Sequence, residues 1–302
     1  MANPNTTPSA AHLEEALTVL FCLIDDAYNL LNPGGSDAYS SLKRLSDSEV
    51  LTLALFQQLR GLESERSFLR DAARFFSHLF PGVVGLHPSS LHRRVRKLRR
   101  FLEPLRRTVV GELVGDPETL VVDSTLLEVL HPRQVRESVG WGGYSSGAAW
   151  VRWGSFSVYG VKVHMLCATN RVPVSYELTA ASTADVVLVE ELLDAAQLEL
   201  GEATARRLFG DLAYRSEVLE ESLARRGVAL ATERARRRPV RRQQVEICFA
   251  TLKRAFGMDR TLAKTLTGLA TRIAAKVCAY TYGLYINRLL GRPQGRIKEL
   301  WA

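Results

Sequence analysis

Residues 156–179, FSVYGVKVHMLCATNRVPVSYELT, decide the fold. Two runs rich in β-branched and aromatic residues, 156–168 and 172–179, flank Thr169-Asn170-Arg171, which reads as a hairpin-type turn between antiparallel strands. Upstream, residues 119–124 (TLVVDS) form another apolar run of strand length. Downstream the texture alternates. A helix is expected over 185–200, a short strand over 207–212, a helix over 216–226, a strand over 227–232, and long helices over 240–257 and 266–290. The glycine-rich stretch 140–154, GWGGYSSGAAWVRWG, reads as a mobile loop or hairpin between the first two strands.

An antiparallel trio followed by helix-separated strands is the order of a ribonuclease-H-like α/β fold. Ahead of it, residues 11–114 show helical patterning and no strand-like run. Ser46 and Glu49 make a capping box that leads into VLTLALFQQL. A second helix covers 67–79 and is stopped by Pro81-Gly82; a third begins after Pro88 with Ser89 or Ser90 as N-cap. On the third, Leu91, Val95, Leu98, Leu102 and Leu105 recur at spacings of four and three, a buried stripe. Arg93, Lys97 and Arg100 share another face, flanked by Arg94 and Arg96. The expected organisation is a disordered tail (1–10), an all-helical DNA-binding domain (11–114), a catalytic α/β domain (115–265), and a C-terminal helical extension (266–302) packed on the catalytic domain.

The net charge is +8, and it is unevenly placed. Eight Lys or Arg residues and the single acid Glu103 lie between Arg93 and Arg107; six Arg and no acid lie between Arg234 and Arg242. Such clusters suit a polyphosphate partner, because each neutralised phosphate releases condensed counterions. The plainer alternative is a pair of solvated helix faces. The four cysteines form no Cys-x-x-Cys pair, which excludes a zinc-ligand pattern, and free thiols suit a reducing cytosol. The first residues lack the order of a signal peptide. Arg272, Lys276 and Arg288 interrupt the most apolar late stretch, so no membrane span is expected.

Two acids stand at strand ends. Asp123 follows the run LVV, and Asp211 follows LFG. Strand termini are where an α/β sheet displays ligands, although either acid alone also suits a cap or turn. A third lies on the helix starting near residue 240, where Val245, Cys248, Phe249, Leu252, Ala255 and Phe256 form the apolar stripe. Arg242, Glu246 and Lys253 fall along its border, within about 40° of one another at 100° per residue. Glu246 on that rim is placed either to face the two aspartates or simply to pair with Arg242.

VVDST, FGDLAY and RRQQVEICFATLKRAF resemble the three carboxylate motifs of bacterial insertion-sequence DDE transposases, with 34 residues between Asp211 and Glu246. The family's last motif reads Tyr-x2-Arg-x3-Glu-x6-Lys; Arg242, Glu246 and Lys253 keep the spacing, and Pro239 replaces the tyrosine. After the second aspartate the family carries lysine and glycine, where Leu212 and Ala213 stand here. The ending TRIAAKVCAYTYGLYINRLLG resembles most closely the group of insertion sequence nine-eight-two.

The resemblance implies that Asp123, Asp211 and Glu246 hold two Mg²⁺ ions, with Mn²⁺ able to substitute. It implies DNA contacts by Arg242 and Lys253, in addition to Arg93, Arg94, Lys97 and Arg100 of the helical domain. Lys162 and His164 share a sheet face and are expected near the DNA, with a structural histidine the alternative for His164. Trp141, Tyr144, Trp150 and Trp153 suit base stacking or a packed hairpin equally. The implied protein is cytoplasmic and nucleoid-associated, and its active complex is a homodimer or larger. It cleaves the ends of a transposon at their terminal inverted repeats and joins the 3′-hydroxyl to target DNA. Two other readings share these residues: a different ribonuclease-H-like DNA endonuclease, and a decayed, non-enzymatic DNA-binding remnant.

Overall fold

The computed structural model describes residues 10–34, 43–137, 140–141, 147–201, 205–232 and 243–301. The expected tail (but for its last residue), Tyr144, Pro239, Arg242 and the whole Arg234–Arg242 cluster lie outside the described residues. The chain divides into two compact units, residues 1–109, 255–257 and 273–302 in one, residues 110–254 and 258–272 in the other.

The first unit is helical. It contains α1 (Ala10–Leu31), α2 (Asp47–Leu59), α3 (Glu65–Phe75) and most of α4 (Pro88–Leu113). The capping box of α2 is present: Ser46 N donates to Glu49 Oε2 (2.5 Å) and Glu49 N to Ser46 Oγ (3.0 Å). α3 starts earlier than expected, because Ser64 rather than Ser67 supplies the capping oxygen. α4 also starts early. Its first turn is tied by His87, whose Nδ1 accepts from Ser89 N (3.2 Å), so neither serine is the cap. Leu91, Leu98, Leu102 and Leu105 are buried, as the stripe requires.

The C-terminal extension is where the structure departs from the expected organisation. Residues 273–302 belong to the unit of the N-terminal helices, not to the α/β unit. Within α8 (Leu266–Leu289), Lys276 Nζ donates to Gln58 Oε1 (2.7 Å) and Tyr282 Oη to the Leu105 carbonyl oxygen (3.1 Å). In α9 (Lys298–Trp301), Trp301 meets Phe56 edge to face at 5.7 Å. The reason lies in α8 itself, which is buried on every side between Ala275 and Asn287. A helix apolar all round has no face from which a packing partner can be read.

The second unit is a mixed α/β domain. Its strands are β1 (Thr119–Leu130), β2 (Ala149–Trp153), β3 (Phe156–Ala168), β4 (Pro173–Ala180), β5 (Arg207–Gly210) and β6 (Ala229–Thr232); α5 (Val189–Leu200), α6 (Glu217–Arg225) and α7 (Gln243–Phe256) complete it. β1 pairs antiparallel with β3, and β3 with both β2 and β4 along its other edge. β1 pairs parallel with β5, and β5 with β6. The sheet therefore has one strand more than expected: residues 149–153, read as loop or hairpin, form β2 of a hairpin with β3. β1 is also longer than expected, continuing past Asp123 with β3 as its neighbour. Gly160 permits that close pairing, since a Cβ there would lie 2.2 Å from the Leu127 carbonyl oxygen.

Candidate active site

The parallel register of β1 and β5 brings two acids together. Val121 is the partner of Phe209, the last pair of the ladder, so Asp123 and Asp211 each lie two residues further on, on one face of neighbouring strands. Asp211 keeps an extended backbone (φ −83°, ψ −178°) and its Oδ1 accepts from Ala213 N (2.8 Å), capping the short turn 212–214. Asp123 Oδ1 accepts from Ser124 N (2.9 Å).

α7 runs along the face that carries Asp123. At its start, Gln244 Oε1 accepts from Arg171 Nε in the β3–β4 turn (2.8 Å). Further along, Cys248 Sγ is 3.8 Å from Met165 Sδ, and Met165 is the register partner of Asp123. Near its end, Lys253 Nζ donates to the Leu126 carbonyl oxygen (3.3 Å). Burial lowers the Lys253 pKa, against the opposing pull of Asp259 and Asp123. From Glu246 to Lys253 the helix rises about 10.5 Å, and from Asp123 to Leu126 the strand advances about 10 Å. Glu246 is half-buried on the same side of α7 as Lys253. Among the described residues, no three His, Cys, Asp or Glu side chains gather closely enough to hold a metal ion. The register brings Asp123 and Asp211 to neighbouring strands, and Glu246 lies in the first turn of α7.

The opposite side of β1 carries a network centred on an acid that the sequence reading passed over. Asp185 Oδ1 accepts from Ser124 Oγ (2.7 Å) and Lys162 Nζ (3.0 Å), and Lys162 Nζ also donates to the Thr183 carbonyl oxygen (2.7 Å). Asp185 follows Ala180-Ala-Ser-Thr-Ala, so by sequence it reads as an ordinary helix-entry residue; only the pairing register of β1 and β3 reveals its neighbours.

That network engages both residues expected near the DNA from this strand. Lys162 is committed to Asp185 and Thr183. His164 is 0% exposed, with Nε2 bonded to Thr179 Oγ1 (2.8 Å) and Nδ1 3.8 Å from Asp185 Oδ1. It is a core histidine. Burial lowers its pKa from 6.5 to about 4; Asp185 opposes the shift and Lys162 adds to it. The unfolded chain takes up this proton near 6.5 and the folded one resists it to about 4, so stability is full above 6.5 and is lost as pH falls through that window. The loss should reach about 3 kcal/mol at most. Urea unfolding between pH 7.5 and 4 should show a flatter profile for His164→Gln than for the parent; parallel profiles would show that His164 does not carry the loss.

In the helical unit, Arg93, Lys97 and Arg100 are exposed, as expected. Arg94 is not available: its guanidinium donates to the Leu45 carbonyl oxygen (2.6 Å) and to Asp47, which ties α4 to the start of α2. Burial raises the Asp47 pKa, but Arg94 and Lys43 outweigh it and hold the carboxyl below its ordinary value. Trp141 is a packing residue, buried, with Nε1 donating to the Ala263 carbonyl oxygen (2.9 Å).

The second unit is thus a mixed α/β domain in which Asp123, within β1, and Asp211, just past β5, lie on neighbouring parallel strands. Residues 114–282 match the family model described as transposase DDE domain, over half of the chain, and the protein belongs to that family. Two solved structures align with it at low similarity. One is the piggyBac transposase synaptic complex with hairpin DNA (12% identity, 94% of this chain and 78% of that chain, TM-score 0.41). The other is a pre-cleavage Mos1 transpososome (13% identity, 90% and 98%, TM-score 0.28). No curated protein matches the sequence. No helix among the described residues is long and apolar enough to cross a membrane.

Proposed function

We propose that this protein cleaves transposon ends and joins them to target DNA, using a ribonuclease-H-like domain in which Asp123, Asp211 and Glu246 are the metal ligands. The observation that carries the reading is the register of β1 and β5, which sets Asp123 beside Asp211. Two carboxylates on neighbouring strands offer the hard oxygen donors that Mg²⁺ or Mn²⁺ prefers. Bound there, a pair of divalent ions supplies an activated water and stabilises charge on the leaving oxygen. Asp123, Asp211 and Glu246 are the residues that would hold the ions. Lys253, whose Nζ donates to the Leu126 carbonyl oxygen of β1, would contact the phosphate, as would Arg242, four residues before Glu246 in the sequence. Water attacks phosphorus and the P–O3′ bond breaks; the released 3′-hydroxyl then attacks a phosphorus of target DNA, whose own P–O3′ bond breaks and leaves a target 3′-hydroxyl. The helical unit, with Arg93, Lys97 and Arg100, grips the terminal inverted repeat, and a homodimer or larger assembly joins two ends. Within the family we place the chain in the group of insertion sequence nine-eight-two, acting at the nucleoid.

A labelled-end assay with Mg²⁺ tests the reading. Cleavage followed by strand transfer is expected; cleavage without transfer would make the protein an endonuclease, and binding alone a non-enzymatic remnant. The helical unit has its own test. Replacing Arg93, Lys97 and Arg100 by Ala should weaken end binding and flatten its salt dependence by about 0.9 per lost phosphate contact. An unchanged slope would remove this face from the interface.

A further inference from the structure

β2 is an end strand of the sheet: among the described residues it pairs with β3 and with no strand on its other side. An unpaired strand edge offers a row of backbone N–H and C=O groups to another chain, and proteins usually blunt it with proline, lysine, a bulge or a covering element. Residues 149–153, AWVRW, carry no proline, lysine or acid, and their register with β3 runs without a bulge. The hairpin turn fixes which groups face outward. Trp153 pairs with Phe156 across Gly154-Ser155, with Gly154 at φ +62° in the first turn position, as a type II′ hairpin turn requires. The pair that closes such a turn exchanges hydrogen bonds. By alternation Ala149, Val151 and Trp153 bond to β3, while Trp150 and Arg152 turn their backbone groups to the free edge.

The side chains add a second pattern. Trp150 and Arg152 share one face of β2, and both are exposed, Trp150 by 46%. The Trp150 ring packs on Tyr159 (centroids 5.2 Å apart), whose hydroxyl donates to the Trp141 carbonyl oxygen (2.6 Å). No Asp or Glu occurs between Glu137 and Glu177, so the sequence around Arg152 supplies it with no carboxylate. We propose that β2 pairs antiparallel with β2 of a second copy, on a two-fold axis through Val151. Three symmetric registers would bond the outward groups. An axis through Arg152 sets two guanidiniums face to face, and like charges directly opposite are destabilising. An axis through Trp150 sets Arg152 against Ala148. The axis through Val151 sets each Arg152 opposite the other copy's Trp150, where a guanidinium meets an indole, and uses every outward group of Trp150 and Arg152 in both strands. Such a contact is self-complementary and closed, as a two-fold dimer requires. It names a surface for the homodimer of the proposed function, and its test uses neither DNA nor metal, so it can fail while the cleavage reading stands.

The test uses the full chain with Cys22, the exposed cysteine, replaced by serine. At the axis the two Val151 Cα atoms form a non-hydrogen-bonded pair about 4.5 Å apart, within the span of a disulfide. The two Ala149 Cα atoms lie about 14 Å apart, well outside it. Val151→Cys should therefore give a covalent dimer under mild oxidation, and Ala149→Cys should not. Sedimentation equilibrium gives the second reading. The parent should self-associate, and Arg152→Pro should do so at least about 10-fold more weakly while keeping the parent's circular dichroism, since it removes an outward N–H and no bond to β3. Equal cross-linking of the two cysteine variants, none by either, or a parent that stays monomeric would overturn the proposal. An Arg152→Pro protein that associates like the parent would also overturn it, by placing the dimer surface elsewhere. In a monomeric parent, single-stranded DNA binding that Trp150→Ala abolishes would assign this strand to unpaired bases instead.

Discussion

Glu246→Gln is expected to leave a folded protein that still binds transposon ends, while Mg²⁺-dependent cleavage falls by about 10³-fold. The size follows from chemistry. An ion positioned on the leaving oxygen is worth several kcal/mol, and each 1.4 kcal/mol is about tenfold in rate. Glutamine keeps the shape and helix propensity of glutamate, so α7 should form unchanged; its apolar stripe of Val245, Cys248, Phe249, Leu252 and Phe256 is buried and untouched by the change. Any helix-surface pair that Glu246 makes is worth about 0.2–0.5 kcal/mol and cannot unfold the domain. Removing one of three neighbouring charges should even raise the metal-free melting temperature slightly. Paired measurements decide it: thermal melts without Mg²⁺, then cleavage of a labelled end with it. Near-normal cleavage by the folded variant would remove Glu246 from the site and leave Asp123 and Asp211 as a pair in search of another third ligand.

How much of this was legible in the sequence differs by kind of information. The apolar runs gave the strands 156–168 and 172–179 nearly to the residue, because a buried strand must be continuous and its turn must be short. Asp211 was legible for a related reason, since it ends an apolar run just past β5; Asp123 follows such a run too, although β1 continues beyond it. Their adjacency was not legible, because it depends on a parallel register between strands 88 residues apart at Val121 and Phe209, which no local pattern encodes. β2 was read only as a loop or hairpin because its stretch is rich in glycine and its pairing partner lies beyond a turn. Arg94, Lys162 and His164 show what a local pattern leaves out. A basic residue in a charged run or on a strand looks free until the partner from elsewhere in the chain is known: Asp47 for Arg94, Asp185 for Lys162, Thr179 for His164. Helical angle alone separates exposed Arg93 from engaged Arg94 by 100°, and that separation is what a charge count discards.

Glu103→Ala is expected to be the most damaging single change to the helical unit. Arg106 is 0% exposed, and its guanidinium holds Glu103 through Nε to Oε2 (2.9 Å) and Nη2 to Oε1 (2.5 Å), with Arg107 Nε adding a longer contact (3.3 Å). Burial by itself raises the Glu103 pKa; Arg106 and Arg107 outweigh it, and the carboxyl is held below its ordinary 4.5. Alanine would leave a guanidinium in the interior without its counter-charge, at a cost of about 3–5 kcal/mol. Replacing both partners, Glu103→Leu with Arg106→Met, should recover most of that loss, since the stranded charge leaves with its partner. The pH dependence has a fixed sign. Because the folded pKa lies below the unfolded one, the pair's contribution is complete above pH 4.5 and fades as pH falls through the lowered value. The gap between parent and Glu103→Ala should therefore narrow in acid. Urea unfolding of the parent, the single variant and the double variant at pH 7 and pH 3 measures all of this. A Glu103→Ala cost below about 1 kcal/mol at pH 7, the scale of an exposed pair, would mean that water reaches Arg106 once the carboxylate is gone.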